Sequence, residues 1–229
     1  MVKHIGIVAC SSEGAALCYR TICLEGAKFL GKHAHPEITM HNHPLSEYMK
    51  YIEVGDWNGV AELMVSSAKK VAKAGAEFAI CPDNTIHRAF DFVVEKSLIP
   101  WLHIAEEVAN VAKQNGYRCV GILGTKYLME SQVYPEKLDR VGIEYKIPEE
   151  KGREQINKII FDELVKGIFK AQSLNYFVEV IKKLEKEGCD AVVLGCTEIP
   201  LIVTPESSPL PTLDSTRILA RAALKKALE

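Results

Sequence analysis

Between Asp190 and Pro200 the chain reads DAVVLGCTEIP: four apolar residues, Ala191 to Leu194, follow an aspartate and stop at Gly195 and Cys196. A short uninterrupted apolar run bounded by turn residues predicts a strand buried on both faces, the kind found in parallel sheets. Its carboxyl end then carries Cys196, and in open α/β sheets ligands bind at that end of the strands. On placement alone Cys196 is either a site thiol or a small buried hydrophobe. The same design recurs at residues 4–9, stopping at Cys10-Ser11-Ser12, at residues 78–81, stopping at Asp83-Asn84-Thr85, and at residues 119–123, stopping at Gly124-Thr125. Further strands are expected over residues 37–42 and after Gly142.

Between these runs the apolar residues fall on helical spacing. Helices are expected over residues 15–30, with Leu17, Thr21, Leu24 and Lys28 roughly aligned, 57–74, closed by Gly75, and 101–115. Others are expected from 151 to about 170, over 173–187, and over 214–228. Strands alternating with such helices predict the α/β class with parallel sheets. Two series, each ending in a polar cluster, predict two similar flavodoxin-like halves, a duplication and not a solenoid. The seam is placed near Ser97–Pro100, with the closing helix returning to the first half. The expected domains are 1–98 plus 212–229, and 99–211.

Composition narrows the function classes. A net charge of −2 with no basic tract speaks against nucleic acid and polybasic membrane contacts as partners. No apolar run is long enough to span a bilayer, and the chain enters a strand at once without a signal-peptide hydrophobic region, so a cytoplasmic location is expected. The seven cysteines are odd in number, show no CxxC spacing and no cysteine and histidine cluster, so neither a disulfide framework nor a metal site is expected. GxGxxG is absent, so residues 9–14 are no dinucleotide fingerprint; Ser11 and Ser12 there can instead present donors to an anion ahead of a helix.

Several blocks in order, NTIH at 84–87, IPWLHI at 99–104, VGILGTKYLMES at 120–131, DELVKGI at 162–168, GCTEIP at 195–200 and LDSTRILARAAL at 213–224, resemble the aspartate/glutamate racemase family over nearly the whole chain. The resemblance implies a cofactor-independent racemase of a small amino acid or related carboxylic acid. It also implies two pseudo-symmetric α/β domains with the active site between them, one cysteine from each, and a homodimer. Racemisation removes the α-proton on one face and returns one on the other, so an acid and a base must flank a flat carbanion. A thiol suits this because its ordinary pKa of about 8.5 lies near working pH.

The family's second cysteine falls on Cys196. The first falls on Asp83, and the nearest thiol, Cys81, stands two residues earlier, about 6.6 Å back along an extended strand. Asp83 has three readings: the second proton carrier, a polar or capping residue that leaves Cys196 to work on one face, or a group recognising a cationic substrate. As a base, a carboxylate is weaker than a thiolate by up to ~6 kcal/mol, which burial can partly recover, so weak or stereochemically lopsided racemisation is expected.

The resemblance further assigns Asn84, Thr85 and Thr125 to the substrate's α-carboxylate and amino group, Lys166 to a distal carboxylate, and Thr197 and Glu198 to the surroundings of the thiol. Read by themselves, Asn84 and Thr85 are a helix cap and Lys166 is a solvated helix residue. Leu128 stands where the family more often has threonine, and no arginine follows the second strand, where His41, His43 and Lys50 are the nearby basic groups. Other outcomes are a one-cysteine decarboxylase or isomerase of a small carboxylic acid, and a binding protein that has lost half its catalytic pair.

Overall fold

The computed structural model describes residues 1–229. The chain forms two compact units, Met1–Glu107 with Thr216–Glu229, and Val108–Ser215.

In the first unit, β1 (Ile5–Ala9) is the middle strand of a parallel three-stranded sheet, flanked by β2 (Ile38–Asn42) and β3 (Phe78–Ile80). Every residue of β1 and β3 is buried, which is why both read as unbroken apolar runs, whereas edge strand β2 is only partly covered. The helices here are α1 (Ser12–Leu30), α2 (Leu45–Ile52), α3 (Trp57–Lys73), α4 (Phe90–Lys96) and the start of α5 (Ile104–Gln114). In α1 the buried stripe runs through Ala15, Cys18, Ile22 and Gly26, leaving Leu24 and Lys28 exposed. Of the four residues expected to align, Leu17 and Thr21 are buried, while Ala15, Cys18 and Ile22 join the core with β1. The eight-residue α2, missed by periodicity, follows His43-Pro44.

The last helix, α10 (Ser215–Leu228), lays Leu219, Ala220, Ala223 and Ala227 against Ile5, Ile7, Phe78 and Ile80, and Lys3 N donates to Ala227 O at 2.8 Å. Alanines on that face let the helix approach closely. The closing helix thus belongs to the core of the first half.

In the second unit, β4 (Cys119–Leu123), β5 (Glu144–Lys146), β6 (Ala191–Leu194) and β7 (Thr212–Asp214) form a parallel sheet in the order β5-β4-β6-β7. Its helices are the short α6 (Lys126–Met129) and α7 (Pro135–Asp139), then α8 (Glu150–Asp162) and α9 (Ala171–Lys186). Ile156, Ile160, Phe177, Ile181 and Leu184 from α8 and α9 pack with Leu123, Val192 and Leu194. Asp190, which introduces the apolar run, accepts from Arg118 N at 2.9 Å and Cys119 N at 3.3 Å, so it clamps the starts of β6 and β4 together.

The α/β halves share one internal plan. Both sheets follow the order second-first-third strand, and in each the first strand carries a glycine against which a helix side chain packs. A Cβ on Gly6 would meet Val71 Cγ2 at 2.7 Å, and one on Gly121 would meet Leu184 Cδ1 at 2.8 Å. The parallel also reaches a fourth strand: Trp101 bridges Ala79 beside β3 just as β7 pairs with β6, and a helix follows each.

Candidate active site

The glycine pair supplies a common register. Gly6 pairs with Ala79 and Gly121 with Val192; four residues on from these partners stand Asp83 and Cys196. The two residues therefore occupy equivalent places, each just past the carboxyl end of the strand beside its sheet's first strand. By the same count Cys81 corresponds to Leu194, the last residue of β6, and stands directly after Ile80, the last residue of β3.

Cys196 is buried, 8% exposed, in a segment where every residue from Ala191 to Pro200 is buried. Its Sγ donates to Glu198 Oε2 at 2.9 Å, and Thr197 Oγ1 donates to the same oxygen at 2.8 Å. A carboxylate accepting the S–H favours the protonated thiol over the thiolate. The turn is fixed by the backbone of Gly195, the residue that ends the apolar run, and by side chains from outside this stretch. Gly195 N donates to Leu123 O at 2.7 Å, and Ser215 Oγ donates to Leu194 O at 2.8 Å. Fully buried Tyr134 lies against Gly195 and bonds to Ser215 through its hydroxyl. Thr125 is buried and caps α6, its Oγ1 accepting from Leu128 N at 3.2 Å, while the Leu128 side chain packs on Gly124 and Gly195.

In the first unit the turn after β3 is locked around Asp83, which is partly exposed. Its Oδ1 accepts from Ile86 N at 3.3 Å, so Asp83 is the residue whose side chain caps the following turn. Asn84, expected to do so, is helical in backbone, makes no capping bond and is buried along with Thr85. The aspartate one residue earlier takes the role because its side chain reaches the N–H three residues on.

His87 secures the same turn. Its Nδ1 donates to Asp83 O at 2.7 Å and its Nε2 accepts from Ile104 N at 3.3 Å, which fixes the Nδ1–H tautomer. Phe90 stacks on the ring, and the edge of His103 meets it.

The neighbouring thiols are interior groups. Cys81 has no exposed surface; burial first, and then the charge of Asp83, push it well above the ordinary thiol range. Cys10 is 2% exposed. Ser11 caps α1, accepting from Gly14 N at 3.3 Å, and Ser12 is exposed. Lys166 is exposed, its ammonium 4.0 Å from Asp162. Lys50 pairs with Glu47 at the surface. His41 and His43 are held by Ser67 and Ser66 of α3, at 2.9 and 3.2 Å. No group of three or more histidine, cysteine or acidic side chains is arranged to hold a metal ion. No helix is long and apolar enough to cross a membrane.

The chain is similar to known proteins over nearly all of its length. The family model for Asp/Glu/hydantoin racemases matches residues 7–223. Among solved structures, a candidate Asp/Glu racemase from Yersinia pestis is 35% identical, with a TM-score of 0.90 over 99% of this chain and 100% of that one. An aspartate racemase homologue from Pyrococcus horikoshii is 31% identical, with a TM-score of 0.85 over the full length of both. Among curated proteins, the broad specificity amino-acid racemase RacX of Bacillus subtilis is 23% identical over 74% of this chain and 73% of its own.

Proposed function

Since the chain belongs to the Asp/Glu/hydantoin racemase family, we propose that it racemises a small amino acid without a cofactor, using Asp83 and Cys196 as its two proton carriers. The observation that carries this reading is the register equivalence of the two residues, each four positions past the partner of its sheet's packed glycine. A two-base reaction needs one group for each face of the α-carbon, and a duplicated fold offers the same position twice.

The hydrogen bond from Cys196 to Glu198 supports one first direction. Asp83, as carboxylate, takes the α-proton; Cys196, as thiol, gives its proton to the opposite face. The step leaves a protonated Asp83 and a Cys196 thiolate beside Glu198, and the reverse reaction or exchange with water resets both. Carbanion charge spreads onto the α-carboxylate, where Asn84, Thr85, Ser11, Ser12, Thr125 and Thr197 supply donors from side chain or backbone. Lys166 serves a distal substrate group, and the enzyme works as a homodimer.

The carboxylate base is weaker than a thiolate by up to ~6 kcal/mol, so turnover is slow and faster from one enantiomer. The test is α-proton exchange of L- and D-amino acids in heavy water. Exchange should vanish in Cys196→Ala and fall at least a hundredfold in Asp83→Ala, while Asp83→Cys should speed it. Absence of exchange from both enantiomers across an amino-acid panel by the intact protein would defeat the proposal.

The hydrogen bond from Cys196 to Glu198 favours one second reading, in which the thiol only protonates a single face after decarboxylation. Carbon dioxide release from a malonate-type acid, abolished in Cys196→Ala but not in Asp83→Ala, would select it.

A further inference from the structure

The turn that carries Thr125 is gripped from outside by one face of α8. Gly152, Ile156, Ile159 and Ile160 form the buried stripe of that helix, and Arg153, Glu154 and Asn157, set three and four residues apart, form a second stripe that meets α6. Arg153 Nε donates to Glu130 Oε1 at 2.9 Å, and Lys126 Nζ to Glu154 Oε1 at 3.5 Å. The carboxylate of each pair is exposed, and ion pairs of this kind hold little. Asn157 differs from them. From a half-buried position its Oδ1 accepts the backbone N–H of Lys126 at 2.9 Å. A backbone N–H can only donate, so the amide oxygen and not its nitrogen must face it.

That bond completes the turn. Lys126 opens α6, and the first N–H groups of a helix have no partner inside it. Thr125 serves two of them, its Oγ1 accepting from Leu128 N at 3.2 Å and its carbonyl from Leu128 N and Met129 N at 3.0 Å each. Lys126 N is served by Asn157, 31 residues further along the chain. The same turn lies back to back with that of Cys196: a Cβ on Gly124 would meet Gly195 O at 3.1 Å, and the Leu128 side chain packs on both glycines. A shift of α6 therefore reaches Thr125 and the thiol together.

We propose that Asn157 is a positioning residue of the reaction: by taking the Lys126 N–H it sets where Thr125 meets the substrate's carboxylate and, through Leu128, where the Gly195-Cys196 turn rests. It touches no reacting atom. Charge grows on the carboxylate oxygens as the carbanion forms, so donors displaced by a loosened turn lose more of their hold on the transition state than on the bound substrate. The effect therefore falls on kcat more than on KM.

This assignment rests on the racemase reading, and its test separates the two. Wild type, Asn157→Asp and Asn157→Leu are compared well below the lowest of their melting temperatures; both replacements keep the size of the side chain, but the first keeps the acceptor and the second removes it. Two quantities are read: α-proton exchange of L-aspartate, L-glutamate and L-alanine in heavy water, and hydrogen exchange of the Lys126 amide by NMR. Asn157→Leu should lose about tenfold in kcat with KM within about threefold, and its Lys126 amide should exchange at least tenfold faster. Asn157→Asp should stay within about threefold of wild type in both. Should Asn157→Leu not fold, Asn157→Ala, which also lacks the acceptor, takes its place. Equal losses in the two variants, unchanged turnover in Asn157→Leu, or lost turnover with the Lys126 amide still protected overturns the assignment and leaves the racemase reading standing. If wild type exchanges none of the three amino acids, that reading fails for them. The assignment then stands only if L-aspartate shifts the amide resonances of Thr125 and Gly195 in wild type and Asn157→Asp but not in Asn157→Leu, and any other pattern overturns it.

Discussion

Cys196 and Thr197 donate to one and the same atom, Oε2 of Glu198, at 2.9 and 2.8 Å. A buried carboxylate 2% exposed thus holds the thiol proton in place, and its charge opposes formation of the thiolate. Replacement by glutamine keeps an acceptor and removes the charge. Glu198→Gln should therefore be alkylated by iodoacetamide at Cys196 several-fold faster than wild type at pH 7.5, read by mass spectrometry. A slower rate would mean that Glu198 draws the proton off the thiol instead of keeping it there.

The other buried thiols should behave oppositely. Burial pushes Cys81 well above the ordinary range, and burial with the neighbouring Cys119 thiol, 3.7 Å away, pushes Cys189 up to about 12. Because the thiolate is the reactive form, both should stay unlabelled in native protein at pH 8 over the time that labels Cys196, and should label on denaturation. Rapid native labelling of Cys81 would show that burial does not hold its thiol in the protonated form.

The histidines of β2 and its following loop carry a pH signature. Burial first, then the Lys70 charge and then His43, hold His41 below the usual imidazole value, and burial and Lys70 do the same for His43. Each binds its proton less tightly folded than unfolded, so below about pH 6.5 the unfolded chain takes up more protons. The stability this confers is complete above that pH and is lost as pH falls through the lower folded values. Imidazole resonances should show both titrating below 6.5, and Lys70→Met should raise the midpoint of His41. The loss of melting temperature from pH 7 to 5.5 should shrink in His41→Asn; an equal loss would show that the pair is not involved.

Much of this was legible in the sequence, for a physical reason. Strands buried on both faces cannot carry polar residues, so β1, β3, β4 and β6 announced themselves as apolar runs, and the residues that broke each run marked the loops of the site. What stayed hidden was set by contacts distant in sequence. The three-residue β7 exists because β6 pairs with it, and α2 is too short for periodicity to speak. Tyr48 and Tyr134 lack any local signature, and Ser215 stands out only as part of the LDSTRILARAAL block; folding brings Tyr134 and Ser215 to the Cys196 turn. Of the two capping readings open in the sequence, that of Asp83 holds and that of Asn84 does not, because capping depends on backbone geometry that one residue of shift reverses.

Gly195 shows how tightly the thiol's position is held. Its backbone runs so close to the neighbouring strand that an added Cβ would lie 2.8 Å from Leu123 O and 2.7 Å from Leu128 Cδ2. The leucine can rotate, but the carbonyl belongs to β4 and accepts the Gly195 N–H at 2.7 Å, so it cannot withdraw without breaking that bond. Gly195→Ala must therefore push the turn outward, at a cost of about 1–3 kcal/mol for overpacking. Cys196 is the next residue and moves with it, and misplacement by about 1 Å is enough to cost about a hundredfold in rate. The variant should melt several degrees lower and lose at least that factor in α-proton exchange. Gly188→Ala, at a left-handed position with φ +98° and open space around its Cβ, should cost stability but leave exchange within about threefold. Equal losses of exchange in the two variants would show that general destabilisation, and not the placement of the thiol, governs the activity.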